Sequence, residues 1–333
     1  MKIQKTECAG ETFLRLASPS GLTLVLTPYG AGIREVLYRG VPMTLSPATD
    51  ADYLHDHVFF YGKTIGPIAG RIDRGRFPGL ESEFALPVNP KTGVTLHSES
   101  LDYAFRRFDF KIEEKEDGTR VVFSSVIPAC LEYPATLEVE VSYFLSETEP
   151  AFTLSYSARP NRVAPIHLTN HVYWNLGGKD EAKEATLQIL ADRVVSYDER
   201  LLPKEKVSVE GSPLDLREGK KVEDVAACFD ATPLGGIDHG FYVNQRSLAH
   251  PTYFLTSGDF VLSITTTAKA FQVYSYNFPV EGSRFSSGVR NGKRIAVTSE
   301  PVLDSTTMKE DFLFSPAHPF HTETLFRFAT KKE

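Results

Sequence analysis

The sequence predicts an all-β fold: a large antiparallel β-sandwich with a few short helices. Three observations carry this expectation. Strand-length segments rich in Val, Thr, Phe and Tyr alternate apolar and polar residues with a period of two. The 21 prolines and 23 glycines are scattered between those segments as punctuation. Helical periodicity is confined to short stretches, so the crossovers that a parallel sheet needs are missing.

In chain order the alternating segments are "GLTLVLT" (21–27), "FDFKIEEKEDGTRVVFSSV" (108–126), "TLEVEVSYFL" (136–145), "AFTLSYSA" (151–158) and "FVLSITTT" (260–267). Within the second, Asp117-Gly118 separates two runs and signals a hairpin, because a tight primed turn needs residues tolerant of positive φ. The best helical candidate is "LREGKKVEDVAACF" (216–229), with Ser212, Pro213 and Asp215 as starters. No linker and no internal repeat divides the chain, so residues 1–333 are expected to form one domain.

Composition excludes several function classes. The net charge of −7 is spread along the chain without basic stripes, which argues against nucleic acid or an anionic membrane as partner. The start has no apolar stretch of signal-peptide length, and no segment approaches a membrane span, so a cytoplasmic protein, monomer or homodimer, is expected. Three dispersed cysteines support neither a disulfide framework nor a zinc ribbon. No phosphate loop of the GxxxxGK[ST] or GxGxxG kind is present.

The stretch "PIHLTNHVYWNLGG" (165–178) carries two histidines four apart. Ile166, Leu168, Val172, Trp174 and Leu176 share one parity, and His167, Thr169, His171, Tyr173 and Asn175 the other. An extended strand would send the first set into a core and the second to a polar, aromatic face suited to a sugar. The zinc-helix alternative requires HExxH, and Leu168 stands where the glutamate belongs. His167 also reads as a hydrogen-bonded core residue. "HDH" (55–57), two histidines on one strand face, lacks an evident third ligand.

Several stretches together resemble the aldose 1-epimerase, or galactose mutarotase, family. "LTNHVYWNLGG" is similar to the family's L-T-N-H-S-Y-F-N-L-[AG]-G, "GPIAGRIDRGRF" (66–77) to G-R-x-A-N-R-I-x-x-G-x-F and "TLHSES" (95–100) to L-H-G-G. "SPLDLRE" (212–218) is similar to [TS]-P-[FL]-D-[FL]-R, and "GGIDHGFYV" (235–243) to G-x-D-H-x-F. "FQVYSYNF" (271–278) resembles the family's late aromatic strand, and "IAVTSEPVLDS" (295–305) its glutamate strand.

The resemblance implies a galactose mutarotase-like supersandwich and an isomerase that interconverts the α and β anomers of an aldohexose without a metal or any other cofactor. By match of motif, His171 is the general acid and Glu300 the general base. His97 belongs with them, and Arg71 and Asp238 hold the monosaccharide. Trp174 or Tyr274 would stack on an apolar sugar face. The chemistry suits these types, since one group must take the C1 hydroxyl proton while another protonates the ring oxygen. The expected resting state is a Glu300 carboxylate opposite a His171 imidazolium. Taken singly, Arg71 also reads as part of a basic edge with Arg74 and Arg76, Asp238 as a turn residue and Tyr274 as core.

Departures from the family pattern bear on the sugar. Pro67 and Gly70 stand where arginine and asparagine are usual, and Val302 where glutamine is common. Ser98 and Glu99 replace a glycine pair, which makes Glu99 a candidate extra hydroxyl ligand. These point to a sugar related to galactose or to a shifted preference. Two other readings of the scaffold are a sugar sensor without catalysis and an epimerase of a hexose phosphate. The latter would draw on the arginines of "GRIDRGRF".

Overall fold

The computed structural model describes residues 1–80, 83–177, 182–306 and 311–332. Gly178, the last residue of the histidine stretch, lies outside the described residues. Antiparallel sheets dominate. A five-stranded meander runs Lys2–Cys8, Glu11–Ala17, Leu22–Thr27, Gly32–Tyr38 and Val41–Pro42 in sequence order. A nine-stranded sheet centres on Phe320–Thr330, paired on one side with Ala151–Pro160 and on the other with Phe260–Thr266. A second five-stranded sheet places Arg193–Tyr197, Asp238–Tyr242, Ala270–Tyr274 and Glu300–Val302 side by side.

Period-two burial explains the layering. Along Leu137–Ser146, Leu137, Val139, Val141, Tyr143 and Leu145 are buried, while Glu138 and Glu140 are exposed. These inward faces join one continuous apolar cluster that also takes in Leu24, Trp174, Phe271 and Phe326. Each fully buried Leu or Phe contributes about 1.5–3 kcal/mol, so the sandwich draws its stability mainly from these faces.

The five alternating segments are strands. The hairpin of the second lies one residue earlier than expected: Lys115 pairs with Gly118, so Glu116 and Asp117 form the loop. Gly118 serves a different purpose, because a Cβ there would lie 2.3 Å from the Leu145 carbonyl oxygen. The expected helix at 216–229 shrinks to Val222–Ala227, because Gly219 at φ +77° turns the chain and Lys220–Lys221 join the large sheet. The "HDH" stretch is not a strand, since Asp50–His55 is a helix that ends at the first histidine. No helix among the described residues is long and apolar enough to cross a membrane.

Candidate active site

The histidine stretch is not one strand. It breaks into short pairings with different partners: Ala164–Pro165 with Leu313–Phe314, Thr169–Asn170 with Thr64–Ile65, and Tyr173–Trp174 with Val297–Thr298. The last pairing is decisive for the site. Two residues after Thr298, the chain leaves Tyr173–Trp174 and pairs with Ala270–Tyr274, setting Glu300 opposite Gln272. This switch brings Glu300 beside His171, with Oε1 3.6 Å from Nε2.

The two face one cleft, which also receives Arg71, His97, Asp238, Gln272 and Tyr274. Arg71 and His97 are neighbours because Arg71–Asp73 pairs with Val94–Leu96. Beyond that pairing the Gly70 N–H donates to His97 Nδ1 at 3.2 Å. An accepting Nδ1 leaves the proton on Nε2, so His97 is a neutral donor. Burial, reinforced by His171 and Arg71, holds it well below the ordinary imidazole value.

Asp238 is held by two donors: Arg71 NH2 reaches Oδ2 at 3.3 Å, and Gln272 Nε2 reaches Oδ1 at 2.6 Å. Tyr197 in turn donates to Gln272 Oε1 at 3.1 Å. Gln272 and Tyr197 line the cleft, yet sequence reading did not single them out. Gln272 stood within the aromatic stretch, two residues from Tyr274 on the same strand face, so strand parity could have found it. Tyr197 carries no such signal.

Burial sets the protonation. Glu300, 3% exposed, is pushed up to about 8 by desolvation, with Asp238 adding to the rise and Thr298 and Arg71 opposing it. Desolvation lowers His171 to about 4. Desolvation thus works against the charged form of each group and shifts the balance from the expected carboxylate and imidazolium toward a carboxylic acid and a neutral imidazole, with His171 beneath aromatic cover. The His171 ring lies 4.9 Å from that of Tyr173 and 6.1 Å from that of Phe60.

Two further expectations are corrected. Trp174 is fully buried away from the cleft, packed on Phe326 and Phe328, and donates to Ser299 Oγ at 2.8 Å. Its parity had placed it among the core residues, and its neighbour Tyr173 reaches the cleft instead. Glu99 folds back to accept the Leu96 N–H at 3.1 Å and does not line the cleft. Ser98 is buried, its hydroxyl spanning the N–H and carbonyl of Ile68.

His167 lines the cleft with both ring nitrogens engaged, Nδ1 to the Ala69 carbonyl at 3.0 Å and Nε2 to the Leu303 N–H at 3.1 Å. That satisfies it as a structural residue. Tyr274 lines the cleft and accepts the Phe278 N–H. Arg74 and Arg76 are exposed and outside the cleft, leaving Arg71 as its arginine. Among the described residues no cluster of three or more His, Cys, Asp or Glu side chains is arranged to hold a metal.

A cleft in a β-sandwich with a carboxyl and an imidazole in its depth has the pair of groups that acid/base isomerisation of a sugar calls for. Residues 12–309 match the family model for aldose 1-epimerase. The chain is 28% identical to the galactose mutarotase of Rattus norvegicus across 81% of its own length and 79% of that protein's. It is 27% identical to the aldose 1-epimerase of Escherichia coli K12 across 95% and 94%. The crystal structure of galactose 1-epimerase from Lactobacillus acidophilus superposes with a TM-score of 0.86, at 24% identity, covering 99% of this chain and 98% of that one. The chain belongs to the aldose 1-epimerase family, and it is an isomerase that interconverts sugar anomers.

Proposed function

We propose that this isomerase acts on a free aldohexose, with Glu300 and His171 as its acid/base pair and Arg71, His97, Asp238 and Gln272 as the groups that hold the ring. The observation that carries this reading is the 3.6 Å approach of Nε2 and Oε1 inside the cleft. Both oxygens on the anomeric carbon can be reached from two such groups at once.

Between about pH 4 and about pH 8 the pair holds one proton. When a sugar binds with that proton on His171, Glu300 takes the C1 hydroxyl proton while His171 protonates the ring oxygen. The bond from C1 to the ring oxygen breaks, the C1 carbonyl forms, and the proton now rests on Glu300. This is the distribution that desolvation of the two groups favours. Rotation about C1–C2 and closure on the other face run both transfers backward. Arg71 and Asp238 contribute by fixing the remaining hydroxyls while C1 turns. A neutral His97 can donate from Nε2 without adding charge beside His171.

The preferred sugar is expected to differ from galactose. Gly70 lines the cleft with nothing within 4 Å of where a Cβ would stand, and Val302 adds an apolar wall, so two polar contacts usual in the family are replaced by space and hydrocarbon. Polarimetry with galactose, glucose, xylose and arabinose, using wild type, His171→Ala and Glu300→Gln, tests both parts. Binding without accelerated anomerisation of any sugar would make the protein a sensor and end the catalytic reading.

A further inference from the structure

Resting on the acid/base reading above, we propose that Lys63 is a positioning residue for the pair. Its ammonium, sealed beneath segment 56–62, fixes the turn that holds Phe60 against the two cleft histidines.

Lys63 is 0% exposed, a rare condition for lysine. Its Nζ lies 5.0 Å from the ring of Tyr53 and 5.3 Å from those of Tyr29 and Phe105. The ammonium donates to a backbone carbonyl, that of Asp56, at 2.9 Å. Asp56 and Asp102 are the carboxyl groups that favour its charged form, and desolvation draws it down to about 8, so it remains a cation at pH 7.

What it holds is the cleft wall. Asp56 Oδ1 accepts the N–H groups of Val58 and Phe59 at 3.2 and 3.1 Å, folding the segment into a turn. The turn that follows, over 60–63, is closed by the Lys63 N–H on the Phe60 carbonyl at 2.8 Å. Phe60 sits at φ +55°, a conformation that a bulky residue adopts only when its surroundings enforce it. Its ring is 5.5 Å from His97 and 6.1 Å from His171. Phe105 links the two ends, touching both the ammonium and, at 5.7 Å, the Phe60 ring. The Lys63 peptide also pairs with the catalytic strand, since the His171 N–H donates to the Lys63 carbonyl at 3.0 Å. One residue thus ties the histidine to the aromatic cover that keeps it dry.

Removing the ammonium frees the Asp56 carbonyl, lets the turn open and admits water beside His171 and His97. The experiment measures histidine titration by NMR in the sugar-free protein, together with the pH profile of kcat/KM, for Lys63→Met, Lys63→Arg, Asp56→Ala and Phe60→Ala. For Lys63→Met the expected result is a His171 midpoint raised by about one pH unit. Its kcat/KM should fall about ten- to a hundredfold. Lys63→Arg, still able to donate to the Asp56 carbonyl, should recover most of both. Asp56→Ala, which keeps Lys63 and the backbone carbonyl it donates to but cuts the turn, should reproduce the Met variant and stands in for it if that variant does not fold. Adding Phe60→Ala to Lys63→Met should have little further effect. Unchanged histidine midpoints, or losses that multiply in the double variant, would overturn the proposal. The titration needs no sugar, so it judges Lys63 even if the wild type anomerises none of the sugars tried.

Discussion

Thr298→Val gives the sharpest test of how the pair is tuned. Thr298 Oγ1 donates to Glu300 Oε1 at 3.0 Å, an interaction that favours the ionised carboxylate and opposes the desolvation that lifts Glu300 to about 8. A buried hydrogen bond of this kind is worth about 0.5–1.5 kcal/mol net, and one pKa unit is about 1.4 kcal/mol. Its loss should therefore raise the Glu300 midpoint by roughly half a unit to one unit. If activity requires one proton on the pair, the alkaline limb of kcat/KM begins near pH 8 in the wild type and moves upward in the variant. The assay is anomerisation followed by polarimetry across pH 5 to 10, with the uncatalysed rate subtracted at each pH. Losing the acceptor for the Tyr274 N–H will also cost stability, so the limb must be read well below the variant's Tm. An alkaline limb that stays in place or moves down would refute the desolvated-carboxyl argument.

Glu300→Gln and His171→Ala should each lower kcat about 10²- to 10⁴-fold, and the double variant should lose much less than the product, because the two act as a unit. Trp174→Ala should cost about 3–5 kcal/mol in urea unfolding, as for other large core truncations, whereas Glu99→Ala should leave anomerisation within about twofold. A strong sugar-selective loss in Glu99→Ala would return that residue to the cleft. Acid should destabilise the fold through its buried histidines. His167 is lowered to about 4 by desolvation, so its contribution is complete above about pH 6.5 and is lost as pH falls through about 4, amounting to about 3 kcal/mol. Urea titrations at pH 7 and pH 4.5 should show a loss that includes this share, and His167→Gln should lessen it by up to about 3 kcal/mol while the other buried histidines keep the remainder.

The strands were legible because period-two burial is a local property, as Leu137–Ser146 shows with alternate residues inside and outside. Its limits are equally local. Gly118 resembled half of a turn, but what demands a glycine there is the Leu145 carbonyl of the next strand, which no local pattern encodes. The helix expected over 216–229 lost its first half to a pairing between Lys220–Lys221 and Thr186–Ile189, again a distant event. Among the site residues, the motif order pointed to His171, Glu300, His97, Arg71, Asp238 and Tyr274, all of which meet in one cleft. For Trp174 and Glu99 the deciding signal is local. Parity placed Trp174 inside, and a glutamate in a tight turn has a backbone N–H within reach to satisfy it. Lys63 could not be seen at all, since its cage draws rings from three separate segments.

The protonation state of the pair follows from a close contest. The difference between about 8 for Glu300 and about 4 for His171 corresponds to about 5 kcal/mol in favour of the neutral pair. Moving the proton to His171 creates opposite charges 3.6 Å apart, whose attraction at an effective dielectric constant near 20 is also about 5 kcal/mol. The two terms are of similar size, so a bound ligand can tip the balance. In the proposed mechanism a C1 hydroxyl donating to Glu300 stabilises the carboxylate, and a ring oxygen accepting from His171 stabilises the imidazolium. Charge-assisted hydrogen bonds of this kind contribute about 1.5–3 kcal/mol each. Those bonds weaken as the ring opens, and the proton returns to the carboxyl. A fully solvated pair would hold any shared proton on His171, and one desolvated much further would hold it on Glu300. The aromatic cover of Phe60 and Tyr173 over His171 sets the dryness between these limits, which in the proposed mechanism gives that wall a part in catalysis even though it moves no proton.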